Sequence, residues 1–427
     1  MLAALLLAAL PVATPDQLTP EEKRIVARVD ANGDEGLALL ERLVNTNSGT
    51  MNLAGVRAVG DLLRGALEPL GFETRWVEMP PEMGRAGHLF AERHGRRGKR
   101  LLLIGHLDTV FEADSPFQTF RRNGGQAMGP GTEDMKGGDI VILYALKALH
   151  DVGALEDTSI VAAFTGDEER AGVPLSLSRR DLIEAGRRSD AALEFEGLAT
   201  DAGRQYATLA RRSVTDWRLT VSGRTAHSSG IFGQGVGYGA IFEMARILDG
   251  FRRELAGQAH LTFNPGFVLG GTSVEADVER HRGSASGKPN VIAPEAVATG
   301  DVRTLSLAQL EDVREKMVRI VSAHLPETTA SISFEEGYPA MSPTPENEAL
   351  LERLNEVNRA LGAPILGALD PDLRGAGDSS FVAPVVPTLA GLGVQGSGGH
   401  TPEERIELAS LPLQTKRAAL FIYRLTR

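Results

Sequence analysis

Leu101-Leu102-Leu103-Ile104-Gly105-His106-Leu107 is the stretch on which the fold reading turns. It is apolar on both of its faces, and it lies between a basic turn and an acidic loop. A strand apolar on both faces is buried on both, as parallel strands are when helices cover the sheet. Ser159–Thr165 (SIVAAFT) and Ala191–Phe195 repeat the texture, and an apolar helix over Asp139–Leu149 falls between the first two strands. Upstream, Glu21–Leu70 is patterned as helices, the second spanning Asn52–Leu67 and closed by Pro69 and Gly71. Strands alternating with helices in this way predict an α/β unit, a mostly parallel sheet flanked by helices.

Around Ala210 the texture changes. Val214–Val221 (VTDWRLTV) alternates as a strand with one wet face does. A helix over Gly237–Leu255 follows, then strands near Leu261–Leu269 and Asn290–Val302, a helix over Leu307–His324 and a strand over Thr329–Glu335. Strand–helix–strand–strand–helix–strand is the ferredoxin-like order. Helix, strand and glycine-loop signals resume from Pro345. The chain therefore divides into an α/β domain in two parts, 20–210 and 338–427, around an inserted ferredoxin-like α+β domain at 211–337.

The bulk numbers bound the chemistry. A chain of 427 residues exceeds one ordinary core. A formal charge of −11 argues against nucleic-acid partners. With no cysteine, thiolate metal sites, disulfides and cysteine nucleophiles are excluded, so any metal sits on His, Asp and Glu. Met1–Ala13 (MLAALLLAALPVA) is too short to span a bilayer and resembles a signal-peptide apolar region, though it lacks the basic lead. It implies a periplasmic or secreted protein; the alternative is an apolar first helix on a cytoplasmic one. No later apolar run has the length of a membrane span.

Four segments carry the chemistry. In Gly105-His106-Leu107-Asp108, residues two apart on a strand share a face, so Asp108 is placed to orient a ligating His106. Gly129-Pro130-Gly131-Thr132-Glu133-Asp134-Met135-Lys136-Gly137-Gly138 turns tightly into a helix, with Asp134 either a ligand or a cap. Thr165-Gly166-Asp167-Glu168-Glu169 follows a buried strand; adjacent carboxylates there need a cation or solvent, and one can ligate while the other serves as general base. His400, in Gly396-Ser397-Gly398-Gly399-His400-Thr401, supplies the second imidazole that a carboxylate-rich dinuclear site requires.

Together, in motif order from about residue 35 onward, these strings resemble the dinuclear-zinc family of glutamate carboxypeptidase, aminoacylase and succinyl-diaminopimelate desuccinylase, with the strongest likeness to the carboxypeptidase branch. The resemblance implies two Zn2+ per chain, replaceable by Co2+ or Mn2+. His106 and Glu196 would hold one, Glu169 and His400 the other, and Asp134 would bridge them. Glu194, two residues before Glu196 on the same face, is the rival ligand. The resemblance further implies that 20–210 and 338–427 form the catalytic domain and 211–337 a lid and dimerisation domain, with a cis peptide at Asp134–Met135, hydrolysis by a metal-held hydroxide, and Glu168 as the general base. His227, in Ser222-Gly223-Arg224-Thr225-Ala226-His227-Ser228, would stabilise the oxyanion across a homodimer. Asn290 and Arg303 match substrate-carboxylate contacts, with an Arg303–Asp301 ion pair as the alternative for the arginine. Gly377, in Gly375-Ala376-Gly377-Asp378-Ser379-Ser380, would lie beside the substrate, and Asp378 would be structural.

The implied activity is release of a C-terminal amino acid with a free carboxylate from a small peptide. The alternatives are an N-acyl amino acid deacylase and a non-catalytic dimer that binds amino-acid-like ligands. The chain departs from the carboxypeptidase pattern in three places. Gly337-Tyr338-Pro339-Ala340 replaces Gly-Arg-Pro-Ala, Arg211-Arg212 replace small residues, and Ser273–Gly287 is longer and more charged. Gly391-Leu392-Gly393-Val394-Gln395-Gly396 fits a dinucleotide fingerprint in letters but has no following helix. The basic run Arg93–Arg100 reads as a solvated hairpin.

Overall fold

The computed structural model describes residues 17–277 and 282–427. The apolar segment Met1–Ala13 lies outside the described residues. The chain packs as two units, each around its own hydrophobic core. Of the described residues, the first comprises those up to Leu209, Pro343–Leu369 and Val385–Arg427, and the second those within Ala210–Ser342 and Asp370–Pro384.

In the first unit, a six-stranded sheet runs in the order Glu73–Val77, His88–Arg93, Thr158–Thr165, Arg97–His106, Ala191–Glu194, Thr388–Leu389. The last four are mutually parallel, and His88–Arg93 and Glu73–Val77 extend one edge by antiparallel pairing. Leu101–Ile104 are buried in the middle, as the doubly apolar stretch requires. Helix Lys136–Asp151 is buried on nearly every side, which explains its all-round apolar sequence. Helix Leu53–Leu67 starts where the Asn52 side chain accepts the Gly55 N–H at 3.2 Å, and the chain turns away through Gly71 at φ 82°. The basic run 93–100 is not a hairpin. It joins two strands that pair on opposite sides of Thr158–Thr165 and not with each other.

In the second unit, a four-stranded antiparallel sheet has the order Thr262–Gly271, Glu295–Arg303, Thr215–Gly223, Thr328–Glu336, with helices Gly239–Leu255 and Leu307–Ser322 completing the ferredoxin-like arrangement. Trp217, Leu219 and Val221 are buried in its core, whereas Asp216, Arg218 and Thr220 between them are exposed. The long segment from Ser273 contains a two-stranded antiparallel ribbon, Ser273–Asp277 with Arg282–Ser286. Packing assigns 338–342 and 370–384, and with them Gly377, to this unit, whereas the sequence pattern alone returns everything after 337 to the first.

Candidate active site

Three neighbouring parallel strands end at one place. Arg97–His106 delivers His106, Thr158–Thr165 leads into Glu168 and Glu169, and Ala191–Glu194 leads into Glu196. This is the carboxyl edge at which parallel sheets build their sites. Two loops complete the cluster. Gly129–Asp134 enters helix Lys136–Asp151, and the turn bearing His400 lies between the short strands Gly396–Ser397 and Arg405–Glu407. A small antiparallel sheet ties them together, pairing Arg405–Glu407 with Gln126–Met128. Gly137 and Gly138 are glycines because this packing is tight. A Cβ on Gly137 would strike the Thr132 carbonyl, and one on Gly138 would strike the Phe195 carbonyl beside Glu196.

The carboxylate of Asp134 lies between two imidazoles. His106 Nε2 is 3.1 Å from Oδ1, and His400 Nε2 is 3.0 Å from Oδ2. His400 Nε2 is also 3.0 Å from Glu169 Oε2. Ligand atoms of His106, Asp134 and Glu169 lie within 4.8 Å of one another, as do those of His106, Glu168 and Glu196. Glu194 stays in the strand, paired in register with Ile104, and belongs to neither group. The Asp134–Met135 peptide is cis.

The His106 Nδ1 atom is 3.1 Å from the Asp108 backbone carbonyl and 3.5 Å from its carboxylate, so residue 108 borders the ring with main chain and side chain. The Asp108 carboxylate also accepts the Thr50 hydroxyl at 2.7 Å and the N–H groups of Glu168 at 3.0 Å and Glu169 at 3.1 Å. Behind that loop, buried Asp167 accepts from Gly172 N, Ser178 Oγ and the Arg179 guanidinium.

The electrostatics are those of crowded acids sharing protons with imidazoles. Hydrogen bonds to Asp134 and Glu169 raise His400 to about 11. Burial pushes the Glu169 carboxyl up to about 7, against the pull of His400. Burial also opposes ionisation of Asp134, yet His106 and His400 hold it far below the usual carboxylate range. Burial disfavours the charged form of His106, but contacts with Asp108 and Asp134 raise it well above the ordinary histidine value. Glu169 Oε1 is buried and has no hydrogen-bond partner, a costly state for a carboxylate oxygen without a cation. Imidazole nitrogens and carboxylate oxygens without thiolates suit zinc or a similar divalent ion, so this donor set fits metal.

Sequence reasoning missed Glu404. Its buried carboxylate accepts Gly131 N at 2.9 Å, Glu133 N at 2.7 Å and Asp134 N at 3.0 Å. The one available signal was an acid four residues beyond His400 in Thr401-Pro402-Glu403-Glu404, which gives no hint of its partners. Thr50, which fixes Asp108, carried no signal either.

In the second unit, His227 bridges Val291, and Ser228 N donates to the Asn290 carbonyl at 2.9 Å, so His227 and Asn290 are neighbours. The His227 Nδ1 atom accepts the Ser229 N–H at 3.2 Å, which assigns the ring proton to Nε2. Arg303 Nε donates to Asp301 at 2.9 Å, the ion-pair alternative; both side chains are part-exposed. The Gly377 carbonyl accepts Ser380 N at 3.0 Å, and Arg211 holds the Gly375 carbonyl at 2.9 Å.

The model of the family described as peptidase family M20/M25/M40 matches residues 102–424. Carboxypeptidase G2 of Pseudomonas sp. (strain RS-16) is 28% identical over 395 residues, covering 90% of this chain and 87% of that protein. A succinyl-diaminopimelate desuccinylase of Cupriavidus necator is 25% identical over 383 residues, covering 87% and 94%. Among solved structures, aminopeptidase PepT from Bacillus cereus superposes with a TM-score of 0.72 at 17% identity, over 93% of this chain and 99% of that one. A dinuclear metal binding M20 peptidase from Bacillus subtilis superposes with a TM-score of 0.64 at 16% identity, over 93% and 99%. The chain belongs to peptidase family M20/M25/M40 and is a metal-dependent hydrolase of amide bonds.

Proposed function

We propose that the chain releases a C-terminal amino acid with a free carboxylate from a small peptide, using two zinc ions. The observation that carries this reading is the position of Asp134, whose two oxygens face His106 and His400 at 3.1 and 3.0 Å. His106 and Glu196 would hold one ion and Glu169 and His400 the other, with Asp134 shared between them; Co2+ or Mn2+ would substitute. Bound there, the pair supplies Lewis acidity and acidifies a water molecule.

The remaining work falls to side chains of the protein. Glu168, with its backbone anchored on Asp108, takes a proton from the water and returns it to the departing amine. His227 presents an Nε2 proton to the developing oxyanion of a partner copy's substrate. Asn290 and Arg303 receive the substrate carboxylate, the guanidinium offering parallel N–H groups. Gly377 lines the substrate cleft. Arg303 keeps Asp301 as its partner until the substrate carboxylate arrives.

The full-length likeness to carboxypeptidase G2 supports the carboxypeptidase reading. A second reading, N-acyl amino acid deacylation, is favoured by the likeness to desuccinylases and by Tyr338. That residue stands where carboxypeptidase relatives carry arginine and packs edge-on against Phe381 at 4.9 Å. A homodimer through the second unit is supported by an apolar exposed face. Phe232, Phe242 and Ile241 lie about half exposed near the start of helix Gly239–Leu255, and Val268 is exposed on the edge strand Thr262–Gly271. Among the described residues, no helix is long and apolar enough to cross a membrane.

A hydrolysis screen of dipeptides and N-acyl amino acids with zinc, cobalt and manganese tests the activity, each substrate paired with its methyl ester. Turnover of free-carboxylate peptides with loss on esterification is the expected result. Turnover of acyl amino acids alone would favour the deacylase, and equal turnover of esters would overturn the parts given to Asn290 and Arg303.

A further inference from the structure

We propose that Glu404 is the positioning residue that sets Asp134 and His400 at their working separation. The inference rests on the metal-site reading above and concerns the residue that builds the site, not a further ligand. Gly129 and Gly131 adopt φ 151° and 77°, so the chain before helix Lys136–Asp151 cannot extend the helical ladder backwards. The N–H groups of Gly131, Glu133 and Asp134 therefore converge as an anion-binding concavity. One side chain fills it. Glu404 Oε1 accepts Glu133 N and Asp134 N, while Oε2 accepts Gly131 N, so both oxygens act as acceptors.

The chain position of Glu404 makes this contact consequential. It lies four residues after His400 on the turn between Gly396–Ser397 and Arg405–Glu407. The Glu404 N–H closes that turn on the Thr401 carbonyl at 3.1 Å, and the Glu404 carbonyl accepts Gly129 N at 3.3 Å. One residue thus grips the Asp134 loop by main chain and side chain, while its own turn carries His400 to Asp134 Oδ2 and Glu169. The 3.0 Å spacing of His400 from Asp134 is consequently determined by Glu404 from behind. Glutamine in its place can accept through one oxygen only and would aim an amide N–H at a backbone N–H. Aspartate is a methylene too short to serve both loops.

The test compares wild type, Glu404→Gln and Glu404→Asp as full-length protein, titrated with Zn2+ and with Co2+. The expected result for Glu404→Gln is a folded protein whose affinity for at least one ion falls about 10–100-fold. Its Co2+ absorption bands should shift, and kcat should fall while KM changes little. A variant with wild-type metal affinity and an unchanged Co2+ spectrum overturns the proposal, even if its melting temperature drops, because that outcome marks a merely structural carboxylate. Should Glu404→Gln not fold, Glu404→Asp is read by the same criteria. Wild type that binds no metal would instead sink the underlying site reading, so the two failures are distinct.

Discussion

The backbone N–H of Glu168 donates to the Asp108 carboxylate over 3.0 Å, so the Glu168–Glu169 loop hangs from the strand end that carries His106. Both oxygens of Asp108 are used, one for Glu168 and the other for Glu169 and Thr50. Asp108→Ala removes the acceptor of the part-buried Glu168 and Glu169 N–H groups and lets the Glu168–Glu169 loop relax. We predict a fall of about 10–100-fold in metal affinity or kcat, with His106 still oriented by the residue-108 carbonyl. Metal titration and steady-state kinetics on the purified variant check this. Wild-type values for both would remove Asp108 from the site's supporting frame.

Glu168 sits in the same cluster as His106 and Glu196, yet its proposed work is proton transfer. Glu168→Gln keeps the shape and removes the basic oxygen. The variant should retain its full metal content while kcat falls about 10²–10⁴-fold. Metal analysis alongside turnover decides the matter. Loss of an ion in step with activity would make Glu168 a ligand, and full activity would discard it as the base.

Much of this frame was legible before any coordinates. The strand through Leu101–Ile104 could be read because buried parallel strands leave a doubly apolar signature, and Trp217, Leu219 and Val221 announced a half-buried sheet by alternation. His106, Asp134, Glu169, Glu196 and His400 were legible as motifs, since each occupies a turn at a strand or helix end. Glu404 and Thr50 were not, because their partners are backbone N–H groups or a single carboxylate far away in sequence, and such contacts impose no pattern on the letters. The place of Asp108 beside His106 was legible from the two-residue spacing, whereas its bonds to Thr50 and to the Glu168 and Glu169 N–H groups were not.

Metal loading should release protons. Without metal, His400 is raised to about 11 and His106 lies well above its ordinary value, so both carry protons at neutral pH. Glu169, at about 7, is partly protonated there. Ligation requires all three in their unprotonated forms, so binding must expel these protons and weaken as pH falls. Calorimetric titration of chelator-stripped protein with Zn2+ at pH 7, in buffers of different ionisation enthalpy, should show release of at least one proton per chain. A heat independent of the buffer would contradict the ligand set. The stripped protein should also lack activity and melt at a lower temperature, since binding to the folded state alone stabilises it.

Asp167 anchors the Glu168–Glu169 loop from behind. Burial opposes ionisation of Asp167, but Arg179, His88, Gly172 N and Ser178 outweigh it and hold the carboxyl below its usual range. A depressed folded pKa contributes stability that is fully present above the unfolded value of about 3.9 and is lost as pH falls towards the folded one. Asp167→Asn removes that contribution and strands the buried Arg179 cation, which should destabilise the protein by about 3–5 kcal/mol near neutrality. Because the wild-type advantage is lost progressively on acidification, the two melting curves should begin to converge below about pH 4. Thermal melts across pH 3–8 check both statements. Curves separated by a constant interval down to pH 3 would show that Asp167 acts through packing and not through its charge. Melting temperatures equal at neutral pH would dismiss the anchor altogether, leaving Asp108 as the main support of Glu168 and Glu169.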